Sequence, residues 1–255
     1  MLPLMENFLS IQGEGARAGH ISVFVRFGGC NFSCAGFGVE YKDPKTGESK
    51  YGCDSFYSVD RGFKKTWDFL SYSDIVEKIN KNISEAGLES TKPDIVITGG
   101  EPTMYWNNTE FQSLLIYYIS RGHKITIETN GSLDITFDKA YQRDVIFSMS
   151  VKLAVSGEPE HKRINIDNLT TILENSPDSY FKFVVEGKHK DAVGDEIEAI
   201  IKEIPWYSDI YLMPLGETTK VINENALPTA ELAIKKGWKY SDRLHIRLWE
   251  DLPGV

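Results

Sequence analysis

The 255-residue sequence predicts an α/β fold: a mainly parallel sheet, covered by helices and curled into a full or partial barrel. Three observations predict it. Apolar, β-branched runs alternate with segments of helical periodicity. The alternation recurs six or so times, as parallel strands joined by crossover helices require. Hydrophobic residues make up 41% of the chain, enough at this length for one complete core, so a single domain over 1–255 is expected.

The elements follow in order. "ISVFVRF" (21–27) reads as a strand. "SDIVEKINKNISEAG" (73–87) has apolar residues at helical spacing, a Ser/Asp start and a Gly stop. "DIVIT" (94–98) is a short buried strand running into Gly99 and Gly100, and "TEFQSLLIYYISRG" (109–122) is a helix ended by Gly122. "KITIET" (124–129), "DVIFSMS" (144–150) and "SYFKFVV" (179–185) are strands. "KDAVGDEIEAIIKEI" (190–204) is helical and "DIYLMP" (209–214) a strand. "NENALPTAELAIKKG" (223–237) predicts a helix interrupted near Pro228, and "RLHIRLW" (243–249) a closing strand. In barrels of this kind the chemistry gathers at the C-terminal ends of the strands. That directs attention to 98–101, 128–131, 148–152 and 213–216.

The net charge of −9 argues against tracking nucleic-acid phosphates, which takes clustered Lys and Arg. The opening "MLPLMENFLSIQGEG" lacks a basic stretch followed by a long apolar run, so no signal peptide is expected. No run approaches the ~20 apolar residues that span a bilayer. A soluble, cytoplasmic protein is expected.

All three cysteines fall within "CNFSCAGFGVEYKDPKTGESKYGCDS" (30–55). An odd count in a reducing compartment points to metal or reactivity, not to a disulfide framework. Thiolates suit zinc or iron–sulfur clusters. Zinc would need a fourth ligand, such as His20 or a more distant His. Three thiolates alone suit a four-iron cluster with one iron left open, and plain buried thiols are the third reading. The polar stretch 35–52 between Cys34 and Cys53 reads as a loop or small hairpin around "DPKTGE".

Taken together, "SIQGEG", "FVRFGGCNFSC", "CDS", "ITGGEPT" and "IETNGS" resemble the radical S-adenosylmethionine (SAM) enzymes of the 7-carboxy-7-deazaguanine synthase family. The resemblance runs from Glu6 to the terminal "LWEDLPGV". The opening "QGEG…R…C" is its most specific part, whereas "GGEP" alone says only radical SAM. One departure stands out: eighteen residues separate Cys34 from Cys53, where the common radical-SAM spacing is C-x3-C-x2-C.

The resemblance implies a partial or modified (β/α)6 radical-SAM barrel with a cluster-binding loop insert. It implies contraction of 6-carboxy-5,6,7,8-tetrahydropterin to 7-carboxy-7-deazaguanine with release of ammonia, started by a 5′-deoxyadenosyl radical from SAM. Cys30, Cys34 and Cys53 would ligate a 4Fe-4S cluster. Gly99, Gly100 and Glu101 would contact SAM, Glu101 at its ammonium group. Ser150 and Lys152 of "SMSVK" and Met213, Pro214, Leu215 and Gly216 of "MPLG" would complete the SAM site, with Val151 where the family usually has Pro. Ile11, Gln12, Gly13, Glu14, Arg26 and Thr98 would meet the pterin, Arg26 holding its carboxylate bidentately. Ser55 stands where the family has a Mg²⁺-coordinating Thr and keeps the hydroxyl. A flavodoxin or ferredoxin as electron donor and a homodimer are further implications, and the C-terminus is a candidate to close over the substrate.

Each reading has a plainer rival. "TGGEP" is a turn stopped by Pro102, Lys152 a solvated lysine, and Arg26 a structural ion pair. Lys162 and Arg163 of "GEPEHKRIN" face ligand anions or sit in a solvated loop. The five histidines are scattered, and only His245, on the last predicted strand, invites attention. Two other functions remain: a radical-SAM activase acting on a protein partner, which does not predict Gln12–Glu14, Arg26 and Ser55 together, and a zinc-stabilised binding protein.

Overall fold

The computed structural model describes residues 1–250, 252 and 254. Its strands are β1 (Leu2–Ile11), β2 (Ile21–Phe27), β3 (Val39–Lys42), β4 (Ser49–Gly52), β5 (Asp68–Leu70), β6 (Asp94–Gly99), β7 (Ile125–Thr129), β8 (Val145–Met149), β9 (Tyr180–Val185), β10 (Ile210–Pro214) and β11 (Lys239–Tyr240). Its α-helices are α1 (Phe56–Val59), α2 (Tyr72–Glu85), α3 (Thr109–Ile119), α4 (Glu160–Arg163), α5 (Ile166–Asn175), α6 (Lys190–Lys202), α7 (Thr219–Lys236) and α8 (Leu244–Trp249).

Nine strands form one sheet in the order β11-β10-β9-β8-β7-β6-β2-β1-β5. From β2 to β11 every neighbouring pair is parallel, and β1 and β5 are added antiparallel at one edge. The six long parallel strands are the predicted six-unit core. The sheet ends at β5 and β11, so the barrel is partial.

Local chemistry explains the elements. A capping box starts α2: Asp74 N donates to Ser71 Oγ at 3.3 Å, and Ser71 N donates to Asp74 Oδ2 at 3.2 Å. Ile75, Val76, Ile79 and Ile83 then form its buried stripe. Strand β6 is buried from Asp94 to Thr98, as a central parallel strand covered on both faces must be. Trp106 anchors the core against Phe111, Phe137 and Phe147 and donates its indole N–H to Thr136 O at 2.7 Å.

The insert is the small hairpin, β3 against β4. Asp43 Oδ1 holds its turn by accepting from Lys45 N at 2.7 Å and Thr46 N at 3.1 Å.

Two expectations are corrected. Residues 243–249 are not a strand but end in helix α8, of which only Ile246 is buried. The alternation in "RLHIRLW" fits a half-buried strand, yet tertiary contacts at Arg243 impose the helix. Helix α7 is not interrupted at Pro228; it runs on through it. The ring packs on Gly187, where even a Cβ would come within 2.9 Å of Pro228 Cβ. Strands β1, β5 and β11 and helices α1, α4 and α5 had no counterpart in the sequence reading. Residues 251, 253 and 255, part of the C-terminal segment considered for closure over a substrate, lie outside the described residues. No helix among the described residues is long and apolar enough to cross a membrane.

Candidate active site

The loop after β2 carries Cys30 and Cys34, and the turn after β4 carries Cys53. None of the three is in a disulfide, and Cys34 is buried with a left-handed backbone, φ 51°. Burial first, then the Glu101 carboxylate, pushes the Cys30 thiol up to about 12. Burial pushes Cys34 up to about 12 as well and also raises Cys53. Lys152 is half-buried, so it is not a lysine of the open surface, and its ammonium opposes the rise at all three thiols. Among the described residues no three His, Cys, Asp or Glu side chains converge on one metal ion. A four-iron cluster asks for no such point, because each thiolate meets its own iron. The donor set of three unpaired thiols fits that group.

The loop is held from several sides. Glu158 Oε1 accepts from Ser33 N and Cys34 N, both at 2.8 Å, and from Ser33 Oγ at 3.2 Å. Asn31 Nδ2 donates to Ser132 Oγ at 2.9 Å, and Asn130 Nδ2 donates to Asn31 Oδ1 at 2.9 Å.

Gly99 and Gly100 bring the end of β6 against this loop. A Cβ on Gly100 would lie 2.0 Å from Gly29 O and 3.0 Å from Cys30 Cβ. Gly99 has φ +127°, and its Cβ would lie 2.1 Å from Phe27 O. Glu101 N donates to Gly29 O at 2.8 Å. Glu101 itself is buried. Its Oε1 accepts from Thr103 N, Thr103 Oγ1 and Thr129 Oγ1, and its Oε2, among the described residues, only from Asn130 N, at 2.6 Å. That leaves Oε2 capacity for another donor. Lys152 Nζ donates to Ser150 Oγ at 3.3 Å. Arg163, considered as a ligand-facing or solvated residue, is buried instead: it pairs with Glu196 Oε1 at 2.7 Å and donates to Lys152 O at 3.0 Å.

The inner face of the sheet carries a polar circuit. Arg26 Nε donates to Glu6 Oε1 at 2.7 Å, the structural pair weighed above. Arg26 stands level with Thr98 on β6, and Thr98 Oγ1 donates to Glu128 Oε2 at 2.8 Å. Lys182 Nζ lies 3.4 Å from Glu128 Oε1 and 2.6 Å from Glu14 Oε2. Buried Gln12 donates to Glu128 Oε1 at 3.4 Å and accepts from Glu14 N at 3.1 Å. Arg243 joins Glu14 Oε1 at 3.1 Å to Asp54 Oδ2 at 3.3 Å and donates to Gly216 O. Asp54 sits between Cys53 and Ser55, so the circuit returns to the cysteine loop. Among the described residues Ser55 Oγ donates only to Asp54 Oδ1, at 3.3 Å.

Charges in this circuit hold one another. Burial alone would raise the Glu14 carboxyl, but Lys182, Arg243 and His245 outweigh it and hold it well below the usual range. Burial would lower Lys182, but Glu128 and Glu14 keep it raised and charged. Burial pushes His245 below the ordinary imidazole value despite Glu14.

The structure therefore draws Gln12, Glu14, Arg26 and Thr98 into one site, and Gly99–Glu101, Ser150 and Lys152 beside the cysteine loop. Ile11 ends β1, and Gly13 is packed under α8, with Leu244 N donating to Gly13 O at 3.0 Å. Met213 and Pro214 close β10, and Leu215 N donates to Val185 O at 2.9 Å. Glu6, Glu128, Lys182, Arg243 and Glu158 had no assigned role in the sequence reading. Lys182 had a signal: a lysine inside the apolar run "SYFKFVV" must find a buried partner. Arg243 and Glu158 had none, since their contacts depend on loops far apart in sequence.

Comparison with known proteins bears on the family and the fold. A family model described as a 4Fe-4S single cluster domain matches residues 11–175. A 7-carboxy-7-deazaguanine synthase of Halobacterium salinarum is 30% identical, over 99% of this chain and 92% of its own. One of Rhodopirellula baltica is 28% identical, over 100% and 89%. The crystal structure of QueE from Escherichia coli superposes with a TM-score of 0.58, covering 96% of this chain and 94% of that one at 22% identity, a likeness of fold. With the family model covering more than half the chain and a relative at 30% identity along nearly its whole length, the chain belongs to the 7-carboxy-7-deazaguanine synthase family of radical-SAM enzymes.

Proposed function

We propose that the chain contracts 6-carboxy-5,6,7,8-tetrahydropterin to 7-carboxy-7-deazaguanine with release of ammonia, in 7-deazapurine biosynthesis. The observation that carries the reading is the joining of two sites: the circuit from Glu6 to Arg243 lines the inner face of the sheet and reaches the cysteine loop at Asp54. A substrate held there lies beside a bound cluster.

Cys30, Cys34 and Cys53 would hold a 4Fe-4S cluster, and the spare acceptor capacity of Glu101 Oε2 suits the SAM ammonium. Ser150, Lys152 and the backbone of Met213–Gly216 would line the rest of the SAM site. With SAM bound, the cluster supplies hydrogen-atom abstraction, chemistry no side chain can perform.

The protein's own work is positioning. The Arg26 guanidinium has spent its Nε on Glu6, and its two terminal nitrogens suit the pterin carboxylate. Gln12, Thr98 and Glu14 face the same space to bind the pterin edge, with Ile11 and Gly13 as backbone contacts. Lys182 helps hold the Glu14 carboxyl ionised, so Glu14 acts as an acceptor toward pterin N–H groups, and Glu128, 3.4 Å from Lys182 Nζ, places a second carboxylate on the same face. The Ser55 hydroxyl, with one weak partner, is the candidate Mg²⁺ ligand. The same reading makes the protein a cytoplasmic homodimer of single-domain chains that receives electrons from a flavodoxin or ferredoxin.

The test is anaerobic cluster reconstitution followed by incubation with SAM, Mg²⁺, dithionite and the carboxytetrahydropterin, read by mass spectrometry. A SAM-dependent product at the mass of 7-carboxy-7-deazaguanine is expected. 5′-Deoxyadenosine without that product would reject the substrate and leave the radical chemistry.

A further inference from the structure

Outside the polar circuit, an open hollow of about 380 Å³ is lined by Lys45, Arg61, Gly62, Lys64, Lys65 and Phe69. All four cations are exposed, and none makes an ion pair among the described residues. Two neighbouring carboxylates, Asp43 and Asp60, are already engaged. Asp43 pairs with Lys50 at 2.5 Å and accepts from Lys45 N and Thr46 N. Asp60 accepts from Lys50 Nζ at 2.9 Å, Tyr41 Oη at 2.9 Å and Gly62 N at 2.7 Å. In a chain of net charge −9, this hollow is a local reversal of sign.

The hollow adjoins the cysteine loop. Lys45 lies in the hairpin that links Cys34 to Cys53, and the tip of that hairpin packs on Gly62, where a Cβ would lie 3.3 Å from Pro44 Cδ. Tyr41 of β3 stacks on Phe56 at 4.4 Å, and Phe63 packs on both rings. This aromatic layer packs beside Cys53: Phe56 N donates to Cys53 O at 3.2 Å, and a Cβ on the preceding Gly52 would lie 3.3 Å from Tyr41 Cε1. On the other flank, Tyr105 Oη donates to Gly28 O at 2.5 Å, two residues before Cys30.

We propose that this hollow docks the acidic face of a small one-electron carrier protein, so that the insert serves cluster reduction. The proposal rests on the reading that Cys30, Cys34 and Cys53 hold a cluster. One electron passes per encounter: the carrier is oxidised by one, the cluster reduced by one, and no atom is transferred. A small anion would call for convergent, buried donors. Here the cations are exposed, the hollow is open, and the Phe69 ring lies 5.2 Å from Lys64 Nζ. An apolar patch rimmed by like charges suits a broad, short-lived contact steered electrostatically.

The test uses the cluster-loaded chain and a flavodoxin as the acidic probe. Affinity is measured at low and near-physiological salt for the wild type, for K64Q/K65Q, and for K45E/R61E/K64E/K65E. Cluster reduction is followed as bleaching of its visible absorbance, driven by reduced flavodoxin or by dithionite. Wild-type binding should weaken with salt, and the fourfold reversal should weaken it about tenfold or more at low salt. K64Q/K65Q should fall between, and flavodoxin-driven reduction should slow in step while dithionite-driven reduction stays unchanged. Equal affinity of wild type and reversal, or wild-type binding indifferent to salt, would overturn the proposal. Tight binding of inorganic phosphate to the wild type and not to the reversal would also overturn it, by assigning the hollow to a small anion. Dithionite-driven product formation in the same preparations reports separately on the catalytic reading.

Discussion

Gly100 has no room for a side chain. Its missing Cβ would press on Gly29 O and Cys30 Cβ, so the double glycine fits the end of β6 to the loop that carries the first cysteine. Gly100→Ala should cost ~1–3 kcal/mol, as overpacking does, and should lower the iron bound per chain on reconstitution. Unchanged iron content and melting temperature would mean that the loop yields freely. Lys182 sets a second residue-scale expectation. It is 4% exposed and carries two carboxylates, so Lys182→Met leaves Glu128 without its cation and Glu14 with Arg243 alone, and should destabilise by ~3–5 kcal/mol. The pH dependence follows from the directions of the shifts. Glu14 is lowered from 4.5, so its contribution is whole above that value and is lost as pH falls below it. Lys182 is raised from 10.5, so its contribution is whole below that value and is lost only above it. Urea unfolding should therefore show a constant wild-type advantage from about pH 5 to 9 that narrows in acid. A gap that widens in acid would contradict the assignment.

At the scale of elements, α8 acts as a latch. Arg243 at its start reaches Glu14, Asp54 and Gly216 O, and Leu244 N donates to Gly13 O. Arg243→Ala should release it: hydrogen exchange over 244–250 should rise, and kcat/KM should fall about 10- to 100-fold through misplacement of the site. Unaltered exchange with lost activity would instead put Arg243 on the substrate itself. This helix also shows where sequence reading stops. The helices with caps and apolar stripes, such as α2, and the β-branched central strands, such as β6, were legible because their local signal and their tertiary role agree. In α8 they conflict: Leu248 is 52% exposed, so the apparent alternation buries almost nothing, and contacts at Arg243 decide. Strand β1 was missed because most of its residues are only half-buried, as at the antiparallel side of a sheet. The same limit holds for the site. Three cysteines and a double glycine are uncommon enough to read locally, whereas Lys182 meets Glu14 across 168 residues and Arg243 meets it across 229.

On the scale of the whole molecule, the core and the cluster loop are built separately. The buried apolar cluster of the sheet and its helices has no member between Phe27 and Ile75, although that stretch holds every cysteine. Residues 28–66 rely instead on the Tyr41–Phe56–Phe63 stack, the Lys50 pairs with Asp43 and Asp60, and the bonds to Glu158. Folding of this stretch therefore draws on whatever the cysteines hold, because a group bound only by the folded form stabilises it by mass action. Chelating the iron should raise hydrogen exchange across 30–66 while β6 to β10 keep their protection, since the main core is untouched. The overall melting temperature should fall only modestly, and the first loss of structure on heating should move to a separate, earlier step. Exchange that rises evenly through β6–β10 would show instead that the loop and the sheet fold as one unit. The long connection between Cys34 and Cys53 would then be part of the sheet's stability, not a module carried beside it.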